Sequence, residues 1–224
     1  MTTPSPNIVK PLRILIADDH LVFRYGVRAV VERLEGWTVC GEACTGREAV
    51  ELAEQLRPEI VVMDIQMPEL NGLEATRQIK KVAPETEILM FTGLETEELV
   101  REVFEAGARS YILKTDGKNE LDVALRSVAA HKPYFTTKVG EILFTKFLMG
   151  KRKEGDTGLE RLTAREREII QLVAEGRSNK DVADALGLSV KTVETHRAAI
   201  IRKLKLASVS DLVRYAIRNH IISA

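Results

Sequence analysis

The chain has 224 residues, 45% hydrophobic and 29% charged, as expected of one or two globular domains with a real core; no apolar run is long enough to cross a membrane. Its two cysteines, in "CGEAC", make neither a disulfide framework nor a zinc pattern. The zero net charge hides an asymmetry: residues 1–150 hold 18 Lys and Arg against 23 Asp and Glu, a net of −5, and residues 151–224 hold 15 against 10, a net of +5. Halves of opposite sign suggest different partners, and the basic half suits nucleic acid about as well as an ordinary solvated surface.

The start, "MTTPSPNIVKP", is polar and Pro-rich and lacks the apolar core of a secretory signal, so a short disordered leader and a cytoplasmic location are expected. "LRILIAD" reads as a buried strand, and "HLVFRYGVRAVVERL" as a helix with apolar spacings near three and four. The alternation repeats through "WTVCGEA" and "GREAVELAEQL", "EIVVMD" and "LEATRQIKKV", "TEILMFTG" and "TEELVREVFEAG", "RSYILK" and "NELDVALRSVAA". Strands this apolar, each followed by a helix, predict an α/β fold with a five-stranded parallel sheet covered on both faces. Residues 133–149 read as an extra helix leaving that domain, and 150–160, rich in Gly and charge, as a linker. "TAREREIIQLVAEG", "NKDVADALG", "VKTVETHRAAIIRKLK" and "SVSDLVRYAIRNH" then predict an all-α domain of four helices, with Gly176 and Gly187 as stop signals.

Open parallel sheets gather their sites at the carboxyl ends of the strands. There the sequence places Asp18 and Asp19, Asp64, Thr92 and Lys114, from four different strands. Each alone has an ordinary explanation: Asp19 as a cap for the helix starting at His20, Lys114 as a surface lysine. Together, three carboxylates make a hard oxygen site for Mg²⁺, and a nearby ammonium and hydroxyl make a place for a phosphoryl group. A carboxylate can itself attack phosphorus and give an acyl phosphate.

"ADD", "VVMDIQMPELNG", "MFTG" and "YILK" resemble the landmarks of the response-regulator receiver domain, over residues 11–131. The resemblance implies a flavodoxin-like fold in which Asp64 accepts a phosphoryl group from a sensor histidine kinase. It also implies direct Mg²⁺ ligation by Asp19, Asp64 and the main-chain oxygen of Gln66, with Asp18 acting through water. Thr92 and Lys114 would bind phosphoryl oxygens, and Tyr111 matches the switch aromatic. Many receivers have Pro after this Lys, joined by a cis bond; here Thr115 follows, and a cis bond before a non-proline residue is costly.

In the second half, Ser178 with Asp181 makes a capping-box start, Gly187 allows a sharp turn and Ser189 can cap the next helix, which together signal a helix-turn-helix. On the helix 190–204, Val190, Val193, Ile200 and Leu204 fall on the inward face, while Lys191, Thr195, Ala198 and Arg202 share another. By spacing alone, an ordinary hairpin with a charged face reads equally well. The stretch 159–222 is similar to the LuxR-type helix-turn-helix domain, so the whole chain resembles the NarL/LuxR-type response regulators, with 132–158 as extra helix and linker. The resemblance implies a phosphorylation-controlled transcription regulator, not an enzyme beyond its own phosphorylation and dephosphorylation. Glu194, Thr195 and Ala198 would read bases of double-stranded promoter DNA, while Lys180, Lys191, Thr192, Arg197 and Arg202 would meet phosphates. It further implies a homodimer on DNA through the helix 209–219, with RNA polymerase as a candidate partner. A phosphatase of carboxylate chemistry would need a substrate-binding insertion, and none is visible; a receiver-like module that ignores phosphate would be expected to lack one of the site residues.

Overall fold

The computed structural model describes residues 11–94, 96–137, 139–141 and 162–222, without the Lys118 side chain. The expected leader, the linker and most of the extra helix lie outside the described residues.

Five parallel strands, β1 (Leu12–Ala17), β2 (Trp37–Ala43), β3 (Ile60–Met63), β4 (Glu87–Thr92) and β5 (Ser110–Leu113), pair in the order β2-β1-β3-β4-β5. Alternation along each strand separates two cores. Ile14, Ile16, Val62, Leu89 and Ile112 face α1 (Leu21–Val31) and α5 (Gly117–Ala129). Leu15, Val61, Met63, Met90 and Tyr111 face α2 (Gly46–Leu56), α3 (Gly72–Val82) and α4 (Glu97–Glu105). Because β2 lies on one side of β1 and β3 to β5 on the other, the direction of the crossovers reverses between β1 and β3, and the cleft of such a sheet opens there. Backbone bonds lock the strand ends around it: Asp18 N–H to the Ala43 carbonyl at 3.1 Å, and Asp64 N–H to the Ala17 carbonyl at 2.8 Å.

The second domain packs α6 (Ala164–Ala174), α7 (Asn179–Leu186), α8 (Val190–Lys203) and α9 (Val209–Arg218) around Ile169, Leu172, Val182, Val193, Ile200 and Leu212. Reciprocal caps start α6 (Thr163 with Glu166) and α7 (Ser178 with Asp181), and Ser189 caps α8. Gly187 takes the left-handed backbone, φ 61°, that the tight α7–α8 turn requires. No helix among the described residues is long and apolar enough to cross a membrane.

Three expectations are corrected. The extra helix does not begin at 133: Tyr134 and Phe135 run beside β5, where the Tyr111 N–H donates to the Tyr134 carbonyl at 2.9 Å, and helical turns appear only from Thr137. Asp19 does not cap α1; His20 is the N-cap residue and makes no side-chain cap bond. Val190 stands in the first turn of α8, beyond the reach of the core, and is exposed.

Candidate functional site

The strand ends bring Asp18, Asp64 and Lys114 into one contact. The Lys114 Nζ lies 2.7 Å from Asp18 Oδ2 and 3.0 Å from Asp64 Oδ2. All three side chains are at least nine-tenths buried. Burial pushes the Asp64 carboxyl above the usual carboxylate range; Lys114 opposes that rise and Asp18 adds to it. One Asp64 oxygen is fixed by the Ile65 N–H at 2.8 Å, so the carboxylate is aimed rather than free to turn. Thr92 is buried at the end of β4, its hydroxyl accepting from the Leu94 N–H at 3.4 Å. Tyr111 is fully buried with its hydroxyl donating to the Leu94 carbonyl, which ties β5 to the chain just after Thr92. All described peptides are trans, Lys114–Thr115 included.

Asp18, Asp19, His20 and Asp64 offer ligand atoms within 4.8 Å of one another. Asp19 is the more exposed of the pair, and its carboxylate meets the His20 Nδ1 at 2.7 Å. Carboxylate oxygens at this spacing fit a small hard dication such as Mg²⁺. Gln66 is half-buried in the loop that follows.

A second layer that the sequence reading missed supports Asp18. The buried Arg24 guanidinium donates to the Asp18 carbonyl at 2.8 Å and to Glu42 at 3.1 Å. Arg28 reaches Glu42 at 2.5 Å. Burial alone would raise the Glu42 carboxyl, but bonds from Arg28 and Arg24 outweigh it and hold it below the usual range. Arg24 and Arg28 sit one turn apart on the same side of α1, and that spacing was the available signal.

The DNA-facing candidates divide. Lys191, Glu194, Thr195, Ala198 and Arg202, with Ala199, line an open groove of about 440 Å³ along α8. Lys191 and Glu194 approach at 3.6 Å, and Thr195 donates its hydroxyl to the Lys191 carbonyl at 2.9 Å. Lys180 is exposed on α7. Arg197 is instead turned inward onto Asn179 of α7, and the Thr192 hydroxyl is engaged with the Ser189 cap at 2.8 Å. His196 is half-buried, and on α9 Val209 is exposed while Leu212 and Ala216 are committed to the domain's own core.

The loop between β3 and α3, which begins at the phosphoacceptor candidate, is gripped by α6. The buried Gln171 side chain acts as a peptide would: its amide donates to the Met67 carbonyl at 2.9 Å and its oxygen accepts from the Asn71 N–H at 2.7 Å. Glu175 accepts from the Glu69 N–H at 3.0 Å, where Glu69 holds a left-handed backbone, φ 66°. Beside the loop, buried Glu74 of α3 meets Arg167 of α6 at 2.8 Å and Arg77 at 3.0 Å, and Gln78 donates to Glu168 at 2.8 Å. Burial pushes Glu102 of α4 upward against the pull of Arg77, Arg101 and Arg167. The Tyr215 phenol of α9, near Glu102 and Arg167, is pushed up to about 12, chiefly by burial.

Comparison with known proteins agrees with this geometry. Residues 14–126 match the response regulator receiver domain, and residues 160–216 match the luxR family of bacterial regulatory proteins. The transcriptional regulatory protein LiaR of Bacillus subtilis is 37% identical over 95% of this chain and 100% of its own length. The response regulator VraR of Staphylococcus aureus is 35% identical over 94% of this chain and 99% of its own. A LuxR-family response regulator from Aurantimonas superposes with a TM-score of 0.59 at 33% identity, covering 62% of this chain and 99% of that one. RcsB from Salmonella enterica serovar Typhimurium, bound to promoter DNA, shares the fold with a TM-score of 0.59 at 24% identity, covering 92% of this chain and 98% of that one. With a receiver behind the acid pocket and a luxR-type helix-turn-helix behind the second core, the chain belongs to the LuxR family of two-component response regulators, transcription regulators that bind DNA.

Proposed function

We propose that Asp64 is the phosphoacceptor and that its phosphorylation by a sensor histidine kinase governs promoter binding through α8. The observation that carries this is the buried contact of Lys114 with both Asp18 and Asp64 at the switch point of the sheet. An Asp64 oxygen attacks phosphorus; the bond to the kinase imidazole breaks, and that nitrogen keeps the electron pair and takes up a proton. Lys114 then exchanges its Asp64 contact for a phosphoryl oxygen, and Thr92 offers its hydroxyl to another. Asp18, Asp19, Asp64 and the Gln66 carbonyl would hold Mg²⁺, which when bound neutralises charge on the phosphoryl oxygens. His20, paired with Asp19, lies beside this set.

On DNA, Glu194, Thr195 and Ala198 read base edges, Lys180, Lys191 and Arg202 meet phosphates, and the exposed side of α9 pairs two copies. Arg197 and Thr192 act by fixing α8 on α7 and at its start. The receiver reaches this domain through the Gln171 grip on the β3–α3 loop: a phosphoryl group on Asp64 disturbs that loop and shifts the population of the docked arrangement.

The test uses acetyl phosphate and Mg²⁺, followed by Phos-tag electrophoresis. Wild-type protein is labelled; Asp64→Asn, or EDTA added to wild type, abolishes labelling. Persistent labelling of Asp64→Asn sinks the assignment. A fragment beginning near residue 158 should bind DNA unphosphorylated, and the full chain more tightly once phosphorylated; equal affinities for all three forms exclude the coupling.

A further inference from the structure

The Lys114 ammonium has three N–H donors, and the two carboxylates account for two contacts. Its remaining side faces an aromatic ring: the Nζ stands 4.3 Å from the centroid of Phe23 on α1. A ring at that distance attracts a cation through its negative face, and does so more strongly where water is excluded. The Lys114 side chain is largely shielded from solvent here, at only 9% exposed. The ring is itself held by edge-to-face packing on Phe91, at 6.3 Å and 86°, the residue before Thr92. His20 also packs against this ring in a T-shaped contact, at 6.1 Å and 80°. One residue of α1 thus touches the ammonium, the end of β4 and the residue beside the acid pair.

We propose that Phe23 is a positioning residue for phosphoryl transfer, holding the Lys114 ammonium where a phosphoryl oxygen on Asp64 will need it. A four-carbon side chain with a free ammonium samples many rotamers; carboxylates on one side and a ring face on the other leave it one dry position. A phosphoryl oxygen then meets a cation already in place and pays less reorganisation on arrival. Ordinary core packing accounts for the contact with Phe91 but not for the placement of a charge over the ring. The inference rests on Asp64 being the phosphoacceptor.

The test varies the ring's electrons while keeping its shape. Full-length protein is made with phenylalanine, 4-fluorophenylalanine or 3,4,5-trifluorophenylalanine at position 23, and as Phe23→Leu. Labelling by acetyl phosphate with Mg²⁺ and the affinity for beryllofluoride with Mg²⁺, measured by calorimetry, are compared. Labelling should slow and beryllofluoride affinity should fall stepwise with fluorine number, by about threefold to tenfold at three fluorines, with thermal midpoints unchanged. Phe23→Leu should lose at least as much. The same fluorination at Phe104, which packs on Phe135 away from the pocket, should change neither readout. If Phe23→Leu slows labelling but fluorination does not, the ring only fills space and the proposal fails. Equal rates in all four proteins also overturn it. Labelling that survives Asp64→Asn would instead overturn the phosphoacceptor assignment, so the two failures are distinct.

Discussion

Gly72 opens α3 against the backbone that carries Asp64, the proposed phosphoacceptor. A Cβ on Gly72 would lie 1.9 Å from the Asp64 carbonyl oxygen and 3.0 Å from the Ile65 Cα. Ordinary contact begins near 3.4 Å, so Gly72→Ala must open this crossing by about 1.5 Å. The backbone has little freedom to yield, because the Gly72 N–H donates to the Ile65 carbonyl and the Asp64 N–H to Ala17, each at 2.8 Å. Overpacking costs about 1–3 kcal/mol, and the gain in helix propensity returns less than about 1 kcal/mol. A net loss of about 1–2 kcal/mol should lower the receiver's unfolding midpoint by about 3–8 °C. An ångström-scale shift of a reacting group can cost up to about a hundredfold in rate, so labelling by acetyl phosphate should slow by at least about tenfold. Gly26→Ala is the control: nothing lies within 4 Å of its Cβ, and in the interior of α1 it should stabilise by about 0.5–1 kcal/mol without changing labelling. A Gly72→Ala protein with wild-type midpoint and labelling rate would show that the close crossing of α3 does not hold Asp64 in place.

Arg167→Ala and Glu74→Ala, combined in a double-mutant cycle on the full chain, should couple by about 1–3 kcal/mol, because Glu74 is buried and, among the described residues, keeps only Arg77 when Arg167 is lost; zero coupling excludes the pair as an interdomain contact. Glu102→Gln should stabilise the protein near pH 7. Burial raises the folded-state pKa, so the ionised form costs stability above the unfolded value, and the advantage of Gln should shrink as pH falls through the raised pKa; unfolding midpoints from pH 4 to 8 check this, and a growing advantage at low pH refutes it. Lys191→Ala should weaken cognate and scrambled duplexes about equally and lower the salt slope by roughly one unit per half-site. Glu194→Ala should lose affinity on the cognate site alone, by roughly 1–3 kcal/mol per base contact; the reverse pattern in a salt titration would mean that α8 lies differently in the groove.

The strands and the acid pocket are legible because one physical rule fixes both. An apolar run buried on two faces must end somewhere, and the charged residue at its end is where a parallel sheet opens. The start of the extra helix is not legible at 133 because the backbone of Tyr134 and Phe135 is claimed by β5, a pairing no local pattern reveals. Val190 failed for a similar reason: its side of the helix points inward, but the first turn outruns the core. Least legible was the interface. Glu168 and Gln171 are polar residues that no local pattern marks as buried, yet both are, and their partners on the receiver lie about a hundred residues away. Phe23 was equally hidden, since nothing local in the first helix says that the lysine following β5 will sit over its ring.

The Gln171 grip has a consequence that runs opposite to the flow of the signal. Its anchor points, Met67 and Asn71, belong to the same short loop as Asp64, while none of the described residues outside α8 lines the groove along it. A docked arrangement that leaves α8 bare does not work as a shutter. Influence on DNA has to pass as a free energy shared between the loop and the placement of the second domain, and such an energy has no preferred direction. To whatever degree a phosphoryl group on Asp64 loosens the grip, a promoter that favours the loosened arrangement must strengthen binding at Asp64 by the same factor. The promoter is then an effector of the receiver, and beryllofluoride should bind more tightly to protein already seated on paired half-sites than to protein free in solution.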